Sequence, residues 1–175
     1  LGVKCDFCHN MDDMSADTEH KNKAREMMKM TMAINKTHFA GKMRVGCITC
    51  HRGVALPKQL SEILAKTSAE KGFAAASAEY SALKTRYYGA QAYDFSESGL
   101  IATAQPLIQN RTDEAIQFLQ LNLSIFPQSV RSYVALSQAQ QAKRDTAGAI
   151  ASLEKALAID PKNAQAQRML TQLKQ

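Results

Sequence analysis

Every cysteine in this 175-residue chain belongs to one of two pentapeptides, "CDFCH" (5–9) and "CITCH" (47–51). No thiol is left over for a conventional disulfide staple. Two thiols three positions apart lie on one side of a helical turn, and the histidine that follows extends the same turn. That geometry lets each thiol bond one vinyl group of a haem while the histidine supplies a nitrogen ligand to the iron. Two copies that consume all four cysteines are a far more specific signal than one.

Other thiol chemistries fit the spacing less well. Paired zinc motifs place roughly 15–20 residues between the Cys pairs. Here 38 residues separate Cys8 from Cys47, and zinc gives no reason for a histidine after each pair. A thioredoxin-like redox pair needs a βαβ setting, and no stretch here alternates as strands do. An iron–sulfur cluster on four thiolates leaves both histidines without a role. The residues therefore predict two covalently bound c-type haems. Cys5, Cys8, Cys47 and Cys50 are the attachment points and His9 and His51 the iron ligands, with zinc as the main remaining alternative.

Each iron then needs a sixth ligand or an open face. The stretch "SADTEHKNKAREMMKMTMAINKTHF" predicts a helix, with Ser15, Asp17 or Thr18 as its cap and Gly41 after its end. Met27, Met30, Ile34 and His38 fall in one stripe of it, with Ala24 and Thr31 beside them and Met28 and Met32 flanking. Methionine on such a stripe is usually core filler. Here the stripe runs up to "CITCH" through a short loop, so helix and returning turn are placed to enclose one haem. A methionine ligand favours ferrous iron and raises the potential.

Composition changes near Pro57. All four Cys, all four His and seven of the eight Met precede it; Ala, Gln, Leu and Ser in helical patterns follow. The expected architecture is all-α, with a dihaem cytochrome c domain over 1–57 and a helical repeat domain over 58–175. Ala115, Leu119, Asn122, Ile125 and Pro127 recur 34 residues later as Ala149, Leu153, Ala156, Ile159 and Pro161. That period belongs to the tetratricopeptide helix pair. It puts Tyr133 and Leu136 at the large positions of a first helix and makes "DPKNAQAQRMLTQLKQ" a terminal capping helix. Upstream, "SESGLIATAQPLIQN" reads as an earlier first helix kinked at Pro106. Leu60 to Tyr88 reads as one more helix pair, broken near Gly72 and off the period.

The formal charge of +6 is spread along the chain, without a Lys/Arg block or interleaved aromatics. This points to solvated helix faces and excludes nucleic acid as an expected partner. The propionates of two haems would cancel much of the excess. No apolar run is long enough to span a bilayer. Leu1 is not an initiator methionine, so a processed or trimmed chain is expected, and its silence on targeting excludes nothing. No Ser-His-Asp set, Gly-rich phosphate loop or paired carboxylates suggest catalysis, so an electron carrier rather than an enzyme is expected.

The segments "LGVKCDFCH", "KAREMMKMTMAIN" and "VGCITCHRG" with its following proline resemble the multihaem cytochrome c subunit of photosynthetic reaction centres. They look closest to its smaller dihaem relatives with tetratricopeptide repeats. The resemblance implies a repeated unit of helix with axial methionine, turn and attachment motif. On that pattern Met27 is the sixth ligand of the haem on Cys47 and Cys50, with Met30 packed beside the ring. His38 is offset from the position where tetrahaem members carry a ligating histidine. For the first haem, the family places its methionine on a helix before "LGV". Three sources stay open: an upstream segment, a substitute among Met11, Met14, His20 and His38, or a neighbouring subunit. Arg52 and Lys42 are candidates for propionate pairing, with a solvent-facing role equally open; Gly53 and Pro57 read as the end of the attachment turn.

The resemblance further implies electron transfer, haem to haem and on to a redox partner protein, in the periplasm or outside the cell. The repeats would dock partners or neighbouring copies. The alternatives are an assembly protein forming a haem-bearing oligomer or filament, and a dihaem peroxidase-type enzyme.

Overall fold

Five of the helices start where a short polar side chain accepts from a free backbone N–H. Thr18, Ser96, Ser129, Asp145 and Asn163 each do so, accepting from the amide of Lys21, Ser98, Ser132, Gly148 and Ala166. The computed structural model describes residues 3–55 and 57–174. Leu1 and Gly2 of the amino-terminal motif, Leu56 and Gln175 lie outside the described residues. Among the described residues the regular structure is helical throughout, with no strand.

The contacts divide the chain into two compact units, Leu1–Pro57 with Gly89–Ala92, and Lys58–Tyr88 with Tyr93–Gln175. The first contains a 3-10 turn at Cys5–Phe7, helix α1 at Glu19–His38 and the short helix α2 at Cys47–His51. Thr18 is the residue that caps α1, from the three expected candidates. Among the described residues of this unit, Asn35, His51 and Val54 alone are buried. Met28, Met30, Met32 and Ile48 are all about half exposed or more. A unit of this size supplies little core of its own and needs a staple or a bound group to hold it.

The second unit contains α3 (Leu60–Lys71), α4 (Phe73–Tyr87), α5 (Glu97–Ala104), α6 (Thr112–Ile125), α7 (Val130–Ala142), α8 (Thr146–Ile159) and α9 (Ala164–Leu173). Gly72 separates α3 from α4 at φ +83°, a left-handed conformation that favours glycine. At Pro106 the expected helix runs from α5 into a 3-10 turn, Gln105–Leu107, because proline cannot donate to the preceding turn. The repeat positions Ala115, Leu119, Asn122, Ala149, Leu153 and Ala156 are all fully buried. Their small residues let successive helices approach closely, while Leu119 and Leu153 fill the space between them. Leu136 is buried, and Tyr133 is half-buried against the cluster of Val134, Leu153 and Ala156.

One polar clasp ties α6 to α3. Arg111 Nε donates to Glu114 Oε1 at 2.7 Å, and its guanidinium reaches the Ala65 carbonyl at 3.3 Å. Ser68 Oγ donates to the same carboxylate. Burial pushes the Glu114 carboxyl up, but the hydrogen bonds from Arg111 and Ser68 and the Arg111 charge outweigh it, so it titrates below its ordinary value of 4.5. A depressed carboxylate contributes stability that is present above the unfolded value and is lost as pH falls through the folded one. Glu114→Gln is therefore expected to cost about 1–2 kcal/mol at neutral pH. In thermal unfolding followed from neutral pH to pH 3, the parent should lose stability below about pH 4.5 more steeply than the variant. Parallel curves would refute the clasp.

Candidate haem site

Helix α1 holds one Cys-x-x-Cys-His motif at each end. At its start, the Thr18 hydroxyl accepts from Lys21 N at 3.2 Å and donates to the Cys8 carbonyl at 2.5 Å. The cap of the helix is thereby also the latch for the first motif. The His20 ring lies against Phe7, centroids 4.2 Å apart. Within the motif, the amides of Cys8 and His9 both donate to Cys5 O, at 3.1 and 2.9 Å, which closes the turn that the spacing predicts.

At the other end, Asn35 performs the joining. Its Nδ2 donates to Val45 O at 2.7 Å and to Thr31 O at 2.9 Å. Its Oδ1 accepts from the amides of Arg44 and Val45, both at 2.9 Å. Its backbone carbonyl accepts from Phe39 N and Gly41 N, which ends the helix. One side chain thus satisfies three backbone groups of the loop that leads into "CITCH". After α2 the chain turns away through Arg52 and Gly53, both with positive φ.

Between these elements lies a cavity of about 230 Å³. Its lining includes Cys8 and Phe7 from the first motif and Cys47, Cys50 and His51 from the second. Helix α1 contributes His20, Ala24, Met27, Met28 and Met30. A single water needs about 10–15 Å³ by this measure, so the cavity is no packing defect. The residues fit a haem. Two thiols and a histidine follow one another on a helical turn, a thioether lies on the same cavity, and aliphatic and aromatic groups make up most of the rest. His51 is buried, and its Nδ1 stands 3.0 Å from the Val54 carbonyl. A carbonyl only accepts, so Nδ1 carries the proton and Nε2 keeps its lone pair for a metal. His9 has the same arrangement in looser form, with Nδ1 3.4 Å from the Met14 carbonyl.

The structure brings Cys8, Cys47, Cys50, His51 and Met27 to one cavity; Cys5 and His9 are not among its lining residues. Of the substitutes considered for the first haem, His20 lines the cavity, while Met11, Met14 and His38 are exposed and do not. Lys42 and Arg52 do not line it either, and Arg52 instead donates to the Gln91 carbonyl at 3.2 Å. Among the described residues no three Cys, His, Asp or Glu side chains converge as a metal cage. Sequence reasoning named Thr18 as a cap candidate but assigned no role to Asn35 or to the bond from the Thr18 hydroxyl to Cys8. The sequence marks Asn35 only as a polar residue one turn beyond Thr31, close to the helix end.

A helical turn carrying two thiols and a metal-ready histidine, closed over an apolar cavity with a thioether, defines a c-type cytochrome fold element. In comparison with known families, the model of the photosynthetic reaction centre cytochrome c subunit matches residues 2–126, and a tetratricopeptide repeat model matches residues 107–173. The chain belongs to the family of the photosynthetic reaction centre cytochrome c subunit. Membership implies covalently bound c-type haem and points to electron transfer, and the repeats point to protein–protein interaction.

Asn35→Leu should be costly, since it leaves the Arg44 and Val45 amides and the Val45 carbonyl without partners. The expected loss is about 2–4 kcal/mol, read as a lower midpoint when unfolding is followed by haem absorbance. Asn35→Asp keeps the acceptor and should lose less. Equal midpoints for all three proteins would sink this role.

Proposed function

We propose that the chain is a dihaem electron carrier. One haem is bonded to Cys5 and Cys8 with His9 on its iron. The other is bonded to Cys47 and Cys50 with His51 and Met27 on its iron. The bound group supplies the one-electron ferrous–ferric couple; the chain supplies ligands, burial and orientation. The observation that carries this reading is the cavity shared by Cys47, Cys50, His51 and Met27, with Cys8 also among its lining residues.

The chain's own residues divide the work. The Val54 carbonyl fixes the His51 tautomer and orients the ring. The Met27 thioether, a soft and weakly basic donor, favours the ferrous state. Phe7, Ala24 and Met28 give the cavity an apolar lining, and an apolar surround raises the cost of the extra charge on ferric iron in the same direction. The domain division follows the chemistry, with 1–57 as the haem domain and 58–175 as the repeat domain. The repeats dock a redox partner or neighbouring copies. Covalent haem attachment occurs outside the cytoplasm, so the protein acts in the periplasm or beyond it. Among the described residues no helix is long and apolar enough to cross a membrane.

Two measurements test the reading. Intact mass of the protein expressed with haem-attachment machinery should exceed the polypeptide mass by two haems, and Cys47→Ser/Cys50→Ser should remove one of them. Met27→Ala should remove the thioether contribution and lower the potential of one of two redox waves. A haem-free chain, or a Met27→Ala variant with unaltered spectrum and potentials, would overturn the assignment.

A further inference from the structure

The amino-terminal unit is electrically divided along its sequence. Residues 27–57 carry five basic side chains, Lys29, Lys36, Lys42, Arg44 and Arg52, and no Asp or Glu. Residues 1–26 carry six acidic side chains against four basic ones. Charge that is dispersed over the whole chain is therefore separated within this unit. The ion pairs deepen the division. Arg25 pairs with Asp17 and Lys23 with Glu26, both in the first stretch. Among the described residues no carboxylate pairs with any of the five cations of the second. Arg52 donates to the Gln91 carbonyl, and the other four are exposed to solvent.

Exposed apolar side chains lie among these cations. Lys29, Met32 and Lys36 are spaced by three and four, so they share one face of α1, and none of them lines the cavity. Past the helix end Phe39 is exposed, Met43 is 76% exposed and Ile48 70%. The loop between is fixed in place. Lys42 N donates to Phe39 O at 2.9 Å, and Arg44 N donates to Asn35 Oδ1 at 2.9 Å. Met43 Sδ lies 3.4 Å from Asn35 Nδ2. Lys36, Met43 and Arg44 thus surround one residue, and Ile48 is at most about 17 Å of chain beyond Met43. Apolar side chains scattered singly are ordinary on a surface. Here they stand among unpaired cations on backbone that is already ordered, which lowers the cost of binding.

We propose that the surface from Lys29 to Ile48 is a docking face for an acidic protein, one that presents clustered carboxylates around an apolar centre. Methionine and aromatic groups within a charged rim are the composition of protein–protein interfaces. An anionic membrane surface is met instead by one continuous apolar helix face, whereas these apolar groups are divided among α1, the loop and α2. Complementary charge steers the encounter, and apolar contact then holds the complex. Even with the propionates of one haem set against it, the stretch keeps a positive excess. The face belongs to the unit that holds the second motif, and the repeats belong to the other. That the partner is a redox protein rests on the electron-carrier reading above; its acidity rests on the charge division alone.

The test measures binding of the protein, expressed with haem-attachment machinery, to plant-type ferredoxin, a small acidic one-electron carrier. Calorimetry is run at ionic strengths from about 0.02 M to about 0.2 M, and affinity should fall at least about tenfold across that range. Lys42→Glu/Arg44→Glu should weaken binding at least about tenfold at the lower ionic strength. Lys162→Glu/Arg168→Glu makes the same change of net charge on exposed residues of the second unit and should leave affinity within about twofold. Met43→Ser/Ile48→Ser should weaken binding and leave its salt dependence as it was. Should Lys42→Glu/Arg44→Glu not accumulate folded, Lys29→Gln/Lys36→Gln carries the same comparison. No binding, a salt-independent affinity, or equal losses from the two charge reversals would overturn the docking face. Two other outcomes would overturn the acidic partner: binding to phosphatidylserine vesicles in place of ferredoxin, or self-association in place of ferredoxin binding that Lys42→Glu/Arg44→Glu abolishes. Intact mass is read in parallel. A haem-free chain that still binds would overturn the electron-carrier reading and leave the docking face standing.

Discussion

Asn35 is the constraint on which the amino-terminal unit depends. A loop folded back on a helix needs partners for the backbone groups it turns inward. Asn35 supplies those partners from one side chain that is both donor and acceptor, and no aliphatic residue of similar size could. Because the loop is fixed at Val45, the next residue, Gly46, starts α2 where Cys47, Cys50 and His51 face the methionine side of α1. The position of the second Cys-x-x-Cys-His motif is thus decided by an amide rather than by apolar packing. Apolar packing alone could not decide it, since Val54 is the one buried hydrophobic residue among the described part of this unit.

The two motifs have the same five-residue pattern and different surroundings. The histidine of the second is buried with a short bond to a carbonyl it does not share. The histidine of the first is half-buried with a longer bond to a carbonyl that a lysine also uses. The difference between the two histidines lies in the backbone of two loops. The first loop is polar and bonds within itself through Asp13 and Ser15. The second is short and bonds chiefly to Asn35.

Much of this was legible in the sequence because the chemistry leaves periodic marks. Cys-x-x-Cys-His names its own helical turn, the stripe of Met27, Met30 and Ile34 marks a helix face, and a 34-residue period marks stacked helix pairs. Pro106 and Gly72 announced the kink and the break where the structure has them, since both act through the local backbone. The matched family confirms the resemblance and the all-α class. Thr18 was legible as a cap but not as a latch on Cys8, and the role of Asn35 was not legible, because both bonds go to backbone atoms, which carry no side-chain signature. Asn35 reaches ten residues away to Val45, and nothing at Arg44 or Val45 advertises an amide in need of an acceptor. His38 looked like a candidate on the stripe, but it is the last residue of α1, past the point where the cavity ends.

Helix α1 is 20 residues long and about 30 Å from end to end. With one motif latched at Thr18 and the other clamped at Asn35, the helix acts as a ruler between them. Loops on either side can lengthen or drift in sequence without altering the spacing, as long as the two latches hold. A single residue inserted into the helix between them would rotate one latch by about 100° relative to the other and advance it by about 1.5 Å. Variation in proteins built this way should therefore collect in the loops, while the number of residues from Thr18 to Asn35 stays fixed.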